Sequence, residues 1–575
     1  MTQFHNNKKK YNALLMKTFF KKANGYHYLI ILIIAVSVFS FKTFSNGNNY
    51  FEIAKNLDIF ASVYREVNTY YVDDVDAGKL MKKGIDEMLN SLDPYTNYIS
   101  ESEAEDFRFQ MTGQYGGIGA QIGTRGEFII VSDPYEGYPA QKEDIRAGDI
   151  ILEIEGKSAK GKNTSEMSKL LKGQPGTKLK LLIKREGEGE LQKVLTRQEI
   201  HINNVPYFGM ADEHTGYIKL ASFTNDAGKE VKDALVELKK NPAMNSLILD
   251  VRGNPGGLLH EAVNIVNVFV PQNQEVVSTK GKVKEWDKSY KTLNPPVDVD
   301  IQLAVLTNRS SASASEIVSG SIQDLDRGVV VGLKTFGKGL VQSTRPLSYN
   351  SQIKVTTAKY YTPSGRCIQA LDYSHRNDDG SVGSVPDSLK KEFKTKNGRK
   401  VFDGGGVDPE IVVSHKVFSK IAESLLYKQL IFDYATYYRN KHEKIAPAKD
   451  FHLDDADFED FKKYIAGKDF DYMTASEKAL EDFKKKAEDE KYFGAIKEHY
   501  ETLKHNLQHD KQADLQKNKE EITQLLDEEI SRRYYFQKAR YEASFKNDED
   551  VQEALKILKD KAKYQSLLKP LSAKK

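Results

Sequence analysis

Between Gly216 and Tyr361 the chain alternates short apolar runs with amphipathic ones, and that alternation confines it to few folds. Gly216–Phe223 reads as a strand, Asp226–Lys239 as a helix, Ser246–Val251 as a buried strand and Leu258–Val270 as a helix. Strand 301–307, helix 314–325, strand 328–333 and strand Ile353–Tyr361 follow. Apolar runs that barely alternate suit strands covered on both faces, so the β-α-β succession predicts a largely parallel, helix-covered sheet of the α/β class.

A chain of 575 residues exceeds one hydrophobic core and predicts three or four domains. The net charge of +3 is nearly balanced, and no basic block beyond the N-terminus points to nucleic acid. One cysteine, Cys367, excludes an intramolecular disulfide framework and a CxxC pair. The 12 histidines show no metal-binding spacing, so neither a metal nor an organic cofactor is expected.

Residues 1–22 carry Lys8, Lys9, Lys10, Lys17, Lys21 and Lys22 ahead of an uncharged apolar stretch within 23–45. Roughly 19 apolar residues at ~1.5 Å each nearly cross a hydrocarbon core. With the lysines held in the cytoplasm, the remainder is exported. The stretch reads as an uncleaved, single-pass inner-membrane anchor with a periplasmic catalytic part. A cleavable signal peptide ending near Ser40, and hence a secreted protein, is the alternative.

Residues 46–112 read as a helical segment, with Ile53, Leu57, Phe60, Ala61 and Tyr64 on one face and a stop at Leu92-Asp93-Pro94. From 113 to 200 short strands and glycine turns take over, 201–413 carries the β-α-β pattern, and 414–575 is charged and helical. That last region reads as a helical accessory domain with solvated faces. A surface for a second copy or an adaptor is the alternative.

Gln114-Tyr115-Gly116-Gly117-Ile118-Gly119-Ala120 opens onto a strand. Ala147-Gly148-Asp149-Ile150-Ile151 and the Leu170–Thr177 turn follow before strand Lys178–Arg185. A glycine loop at a strand edge can aim several N–H groups at a carboxylate while a peptide adds to the edge. The ordered series resembles a PDZ domain. The resemblance implies recognition of a free, apolar peptide C-terminus by Gly117, Ile118, Gly119 and Ala120.

Ser310-Ser311-Ala312-Ser313-Ala314-Ser315-Glu316 stands where an apolar strand hands over to a helix, which places a hydroxyl among unpaired helix N-terminal amides. Ser313 with Glu316 also fits a capping box, a role compatible with catalysis. About twenty-five residues on, Phe336-Gly337-Lys338-Gly339 isolates one lysine. Gly332-x-x-x-x-Gly337-Lys338 begins like a phosphate loop, but Gly339 replaces the magnesium-binding hydroxyl and a strand follows. A turn lysine exposed to water stays protonated; one buried beside a serine loses its proton more easily and can act as its base. Asp250-Val251-Arg252-Gly253-Asn254-Pro255-Gly256-Gly257 supplies a strand-to-helix turn whose Gly256 and Gly257 amides, with that of Ala314, suit an oxyanion hole.

These stretches, with Thr335–Gln342 and Tyr361-Thr362-Pro363-Ser364-Gly365-Arg366, occur in one order after the PDZ-like module. Together they resemble the carboxyl-terminal processing peptidases, the tail-specific S41 serine peptidases, over residues 55–410. The resemblance implies a crotonase/ClpP-like core with an inserted PDZ domain. It assigns Ser313 as nucleophile, Lys338 as general base and Gln342 as the residue that orients it, with Asp324 secondary or structural. Leu340, where other members carry Thr or Ser, is a minor departure, and the resemblance does not reach 414–575. It implies a serine endopeptidase acting on exported proteins with apolar C-termini. A membrane-tethered PDZ scaffold with a silent protease-like domain is the alternative.

Overall fold

The computed structural model describes residues 50–507 and 511–570, so the apolar stretch within 23–45 lies outside the described residues. Among the described residues no helix is long and apolar enough to cross a membrane. The chain divides into two compact units, Met1–Ser91 and Leu92–Lys575. In the first, a helix over 50–70 precedes helix Ala77–Asn90, which Asp76 caps by accepting the Lys79 N–H at 3.0 Å. Ile53, Leu57 and Phe60, the apolar face of the first helix, are exposed.

The second unit is built on a six-stranded sheet in the order Tyr207–Met210, Thr215–Lys219, Ser246–Asp250, Gln302–Thr307, Val329–Gly332 and Ile411–Val412. All neighbours run parallel except the first pair, as the alternation predicts. Successive side chains point to opposite faces. Leu247, Leu249, Leu303, Val305 and Val330 therefore pack under helices Ala227–Leu238, Leu259–Phe269 and Ala314–Asp324. Ile248, Ala304, Leu306, Val329 and Val331 face the other way. There the cover is C-terminal: Val551, Ala554, Leu555 and Leu558 of helix Glu549–Lys559. Solvated faces describe much of Ala475–Asp489 and Phe493–Leu507, but not this helix, whose apolar stripe is buried.

A second, antiparallel sheet joins Asn97–Ile99, Gln352–Tyr361, Glu275–Gly281, Lys288–Lys291 and Leu340–Pro346. The expected strand 353–361 thus belongs here. Residues 97–99, read as part of a helical segment, form its edge strand, with Asn97 opposite Lys354. The stop at Leu92-Asp93-Pro94 redirects the chain: the Asp93 carboxylate accepts the N–H groups of Tyr95 and Thr96, both at 2.8 Å.

The PDZ-like module is a sheet ordered Ala120–Arg125, Phe128–Pro134, Ile150–Ile154, Lys178–Arg185 and Gly189–Thr196, with helix Thr164–Leu171 packed on it. Gln114–Gly117 pairs with Gln198–His201 as its stem. C-terminal helices hold it through ion pairs of Arg125 with Asp433 and of Arg532 with Asp133.

Candidate active site

The turn after strand Gln302–Thr307 puts Ser313 at φ 55° and ψ −112°, a conformation that a non-glycine residue adopts only under constraint. Several contacts impose it. Tyr360, fully buried, donates its hydroxyl to the Ser313 carbonyl at 3.1 Å. Ser311 Oγ donates to Val251 O at 2.9 Å, and the Ala312 N–H and Ser315 Oγ both donate to Asn254 O, at 3.1 and 2.8 Å. Every residue of helix Ala314–Asp324 is buried, so Ser313 rides on a rigid support.

Glu316 is the hub. Its carboxylate is buried, and Oε2 accepts the backbone N–H of Ser313 at 2.8 Å and that of Lys338 at 2.9 Å. Oε1 accepts Thr335 Oγ1 at 2.6 Å and the Gly337 N–H at 2.7 Å. Burial pushes the carboxyl up to about 7, against four donors that favour its ionised form.

The Lys338 loop depends on its glycines. Gly337 has φ 90°, and a Cβ there would lie 2.4 Å from Ala370 Cβ. The lysine side chain is half-buried, with Nζ 4.1 Å from the centroid of the Tyr95 ring. Burial lowers its pKa to about 8, helped by the positive charge of Lys354 and opposed by Asp93 and Glu316. The amine makes no hydrogen bond to Ser313 Oγ in this arrangement. Nor does Gln342 hydrogen-bond to it: Gln342 Nε2 donates to Thr356 Oγ1 at 3.1 Å, and Thr356 is tied in turn to Thr96. The structure therefore joins Ser313 and Lys338 through their backbones, not through Oγ and Nζ.

Gly256 lies against Ser313, where a Cβ on it would stand 2.8 Å from Ser313 Cβ, whereas a Cβ on Gly257 would meet the Phe223 carbonyl oxygen at 2.4 Å. Of the three amides expected to form an oxyanion hole, one is already engaged within the chain. The Gly256 N–H is engaged by Asn254 Oδ1 at 2.9 Å, whereas those of Ala314 and Gly257 donate to no acceptor among the described residues. Asp324 is remote from Ser313's contacts. It pairs with buried Arg366 at 2.8 Å and accepts the Ser364 N–H at 3.0 Å, anchoring the Tyr361–Arg366 turn.

In the PDZ-like module the N–H groups of Ile118 and Gly119 are likewise without acceptors among the described residues, while their carbonyls hold Ala140 and Tyr135 at 2.8 and 2.9 Å. Strand Ala120–Arg125 is the edge of its sheet, with helix Thr164–Leu171 nearby. That leaves a strand edge beside two free amides, the equipment for holding an extended peptide by its carboxylate. Sequence reasoning missed Asn254, Tyr360, Tyr95, Asp93 and Lys354. Only Asn254 carried a signal, as the asparagine of the Asn-Pro-Gly-Gly turn.

Residues 214–374 match peptidase family S41, 130–185 match the PDZ domain, and 421–558 match the C-terminal helical domain of probable PDZ-proteases. A probable CtpA-like serine protease of Staphylococcus aureus strain N315 is 37% identical over 316 residues, covering 54% of this chain and 62% of the relative. The chain thus spans somewhat under two thirds of that relative's length. The corresponding protein of the bovine strain RF122 is 37% identical over 344 residues, covering 59% of this chain and 68% of the relative. Among solved structures, the photosystem II D1 C-terminal processing protease is 28% identical, covering 62% of this chain and 92% of its own, with a TM-score of 0.35. The peptide-bound PDZ domain of a Vibrio cholerae carboxy-terminal protease is 27% identical, covering 16% of this chain and 99% of its own, with a TM-score of 0.15.

Proposed function

This chain belongs to peptidase family S41, and from that premise we propose that it is a Ser-Lys endopeptidase that selects proteins by their C-terminal tails. The observation that carries the reading is the shared Glu316 oxygen, which brings the nucleophile's amide and the lysine's amide onto one acceptor. The PDZ-like module holds the tail carboxylate at Ile118 and Gly119 while the chain passes to Ser313. A turn of the Lys338 side chain away from Tyr95 brings Nζ to Ser313 Oγ. Neutral Lys338 then takes the hydroxyl proton as Oγ attacks the carbonyl. The Ala314 and Gly257 amides receive the oxyanion, each worth roughly 3 kcal/mol of barrier. Lys338 returns its proton to the leaving amine, and water releases the acyl group. The basic and apolar N-terminal stretches support a membrane-tethered enzyme acting outside the cytoplasm.

The test uses the full chain in detergent and a peptide with an apolar C-terminus. Ser313→Ala and Lys338→Ala should bind the peptide and fail to cut it. An undiminished rate in Lys338→Ala removes the lysine from its role as base.

One observation favours a second reading, a silent scaffold: the lysine amine rests on Tyr95. A serine-reactive phosphonate probe separates the two, because only an enzyme would be labelled at Ser313.

A further inference from the structure

Arg252 opens the turn that carries the oxyanion amides, and its guanidinium is claimed from the far end of the chain. Asp548, 296 residues on, meets it with both oxygens, Oδ1 at 2.9 Å and Oδ2 at 2.7 Å. Asp550 Oδ2 takes the same guanidinium at 2.8 Å, and Asp250 closes the remaining side at 2.7 Å. Lys219 Nζ donates to Asp250 at 3.1 Å and to the Arg252 carbonyl at 2.6 Å, so the backbone at the mouth of the turn is gripped as well. His415 Nε2 stands 3.0 Å from Asp550 Oδ2. Asp250 and Asp550 are each 1% exposed, and charges so deep are stable only with their partners in place.

The consequences run straight to the reacting centre. Two residues after Arg252, Asn254 orients the Gly256 amide and accepts from Ala312 and Ser315 on either side of Ser313. Asp548 also caps helix Glu549–Lys559, accepting the N–H groups of Asp550 and Val551, both at 3.1 Å. One residue thus starts the helix that covers the sheet and holds the arginine at the head of the oxyanion turn. Bidentate guanidinium–carboxylate pairs fix direction as well as distance.

We propose that Asp548 and Asp550 are positioning residues for the proteolytic step, holding the Gly257 amide in register with Ser313 through Arg252. The proposal rests on the peptidase reading and makes helix Glu549–Lys559 part of the catalytic unit. Loss of the clamp lets the turn shift, which weakens an interaction made only in the transition state. Turnover falls while binding of the peptide tail, made in another domain, does not.

The experiment compares the full chain in detergent with D548N, the D548N/D550N double variant, R252M and D548N combined with R252M. It reads kcat and KM on the peptide, phosphonate labelling of Ser313 and the thermal midpoint. Asn caps a helix as well as Asp does, so D548N removes charge without uncapping the helix. Expected are a fall in kcat of about 10- to 100-fold with KM within about twofold, and no further loss when D548N is added to R252M. Parent kcat in both aspartate variants overturns the proposal. So does a loss that adds fully to that of R252M, or one that follows the folded fraction alone; if the double variant unfolds, D548N by itself decides. A parent protein that neither cuts nor labels sinks the peptidase reading first, and the clamp's catalytic role with it.

Discussion

The backbone N–H of Ser313 and the backbone N–H of Lys338 donate to the same oxygen, Glu316 Oε2, at 2.8 and 2.9 Å. A capping glutamate normally reaches back to its own helix start. Here the reach extends to a loop from another strand, so the helix cap also sets the separation of Ser313 and Lys338.

Glu316→Gln tests that hub. An amide presents one acceptor oxygen and an NH₂ group, and the NH₂ would confront two donors that now meet a carboxylate oxygen. Leaving buried donors unpaired costs about 1–3 kcal/mol each, and displacing an oxyanion or base group costs about 100-fold in rate. The expected outcome is a lower thermal midpoint together with kcat reduced by roughly two orders of magnitude. A variant with the parent's kcat would show that Ser313 and Lys338 are aligned without it.

The proposed base role of Lys338 carries a pH dependence. With Lys338 lowered to about 8 by burial, the neutral amine, and with it kcat/KM, should grow as pH rises through about 8. Lys354 disfavours the ammonium, so Lys354→Met should move that limb to higher pH. Asp93 favours it, so Asp93→Asn should move the limb to lower pH. Stability follows the same sign. Between about 8 and the ordinary 10.5 the unfolded chain binds more protons at this residue than the folded one, so its contribution grows with rising pH across that window. A pH–rate profile of the three proteins checks the order of the midpoints.

The parts legible in the sequence are those with local causes. Buried strands such as Ser246–Asp250 and Val329–Gly332 announce themselves as apolar runs, and Ser313 with Glu316 as a cap. Asn97–Ile99 is too short for any period, so its strand character comes from the partner Gln352–Tyr361. In Glu549–Lys559 the charged residues between Val551, Ala554, Leu555 and Leu558 hide a stripe that buries against the sheet. The Gly256 amide reads as free until Asn254 is seen to turn its side chain onto it. Tyr95 over Lys338 is a contact between distant segments, and spacing carries no trace of it.

Gly337→Ala should separate loop geometry from lysine chemistry. Its φ of 90° suits glycine, and the new Cβ would lie 2.4 Å from Ala370 Cβ. Strain of this kind costs about 1–3 kcal/mol. The loop relaxes by moving, which carries the Lys338 amide off Glu316. The expected result is a loss of kcat with the lysine still present. Parent activity would mean that Ala370 yields without disturbing Lys338.

Tail selection has its own variant, remote from Ser313. Gly119 has φ 73°, and a Cβ there would come within 2.4 Å of Tyr138 Cβ, so Gly119→Val must displace the loop that bears the two free amides. If those amides hold the substrate carboxylate, KM for a peptide with a free apolar C-terminus should rise about tenfold or more, the usual worth of a charge-assisted contact. A C-terminally amidated peptide already lacks the charge and should show little difference between the two proteins. Labelling of Ser313 by a small phosphonate, which needs no tail, should proceed in both. Equal KM values for the acid peptide would place tail recognition elsewhere than the Gly117–Ala120 loop.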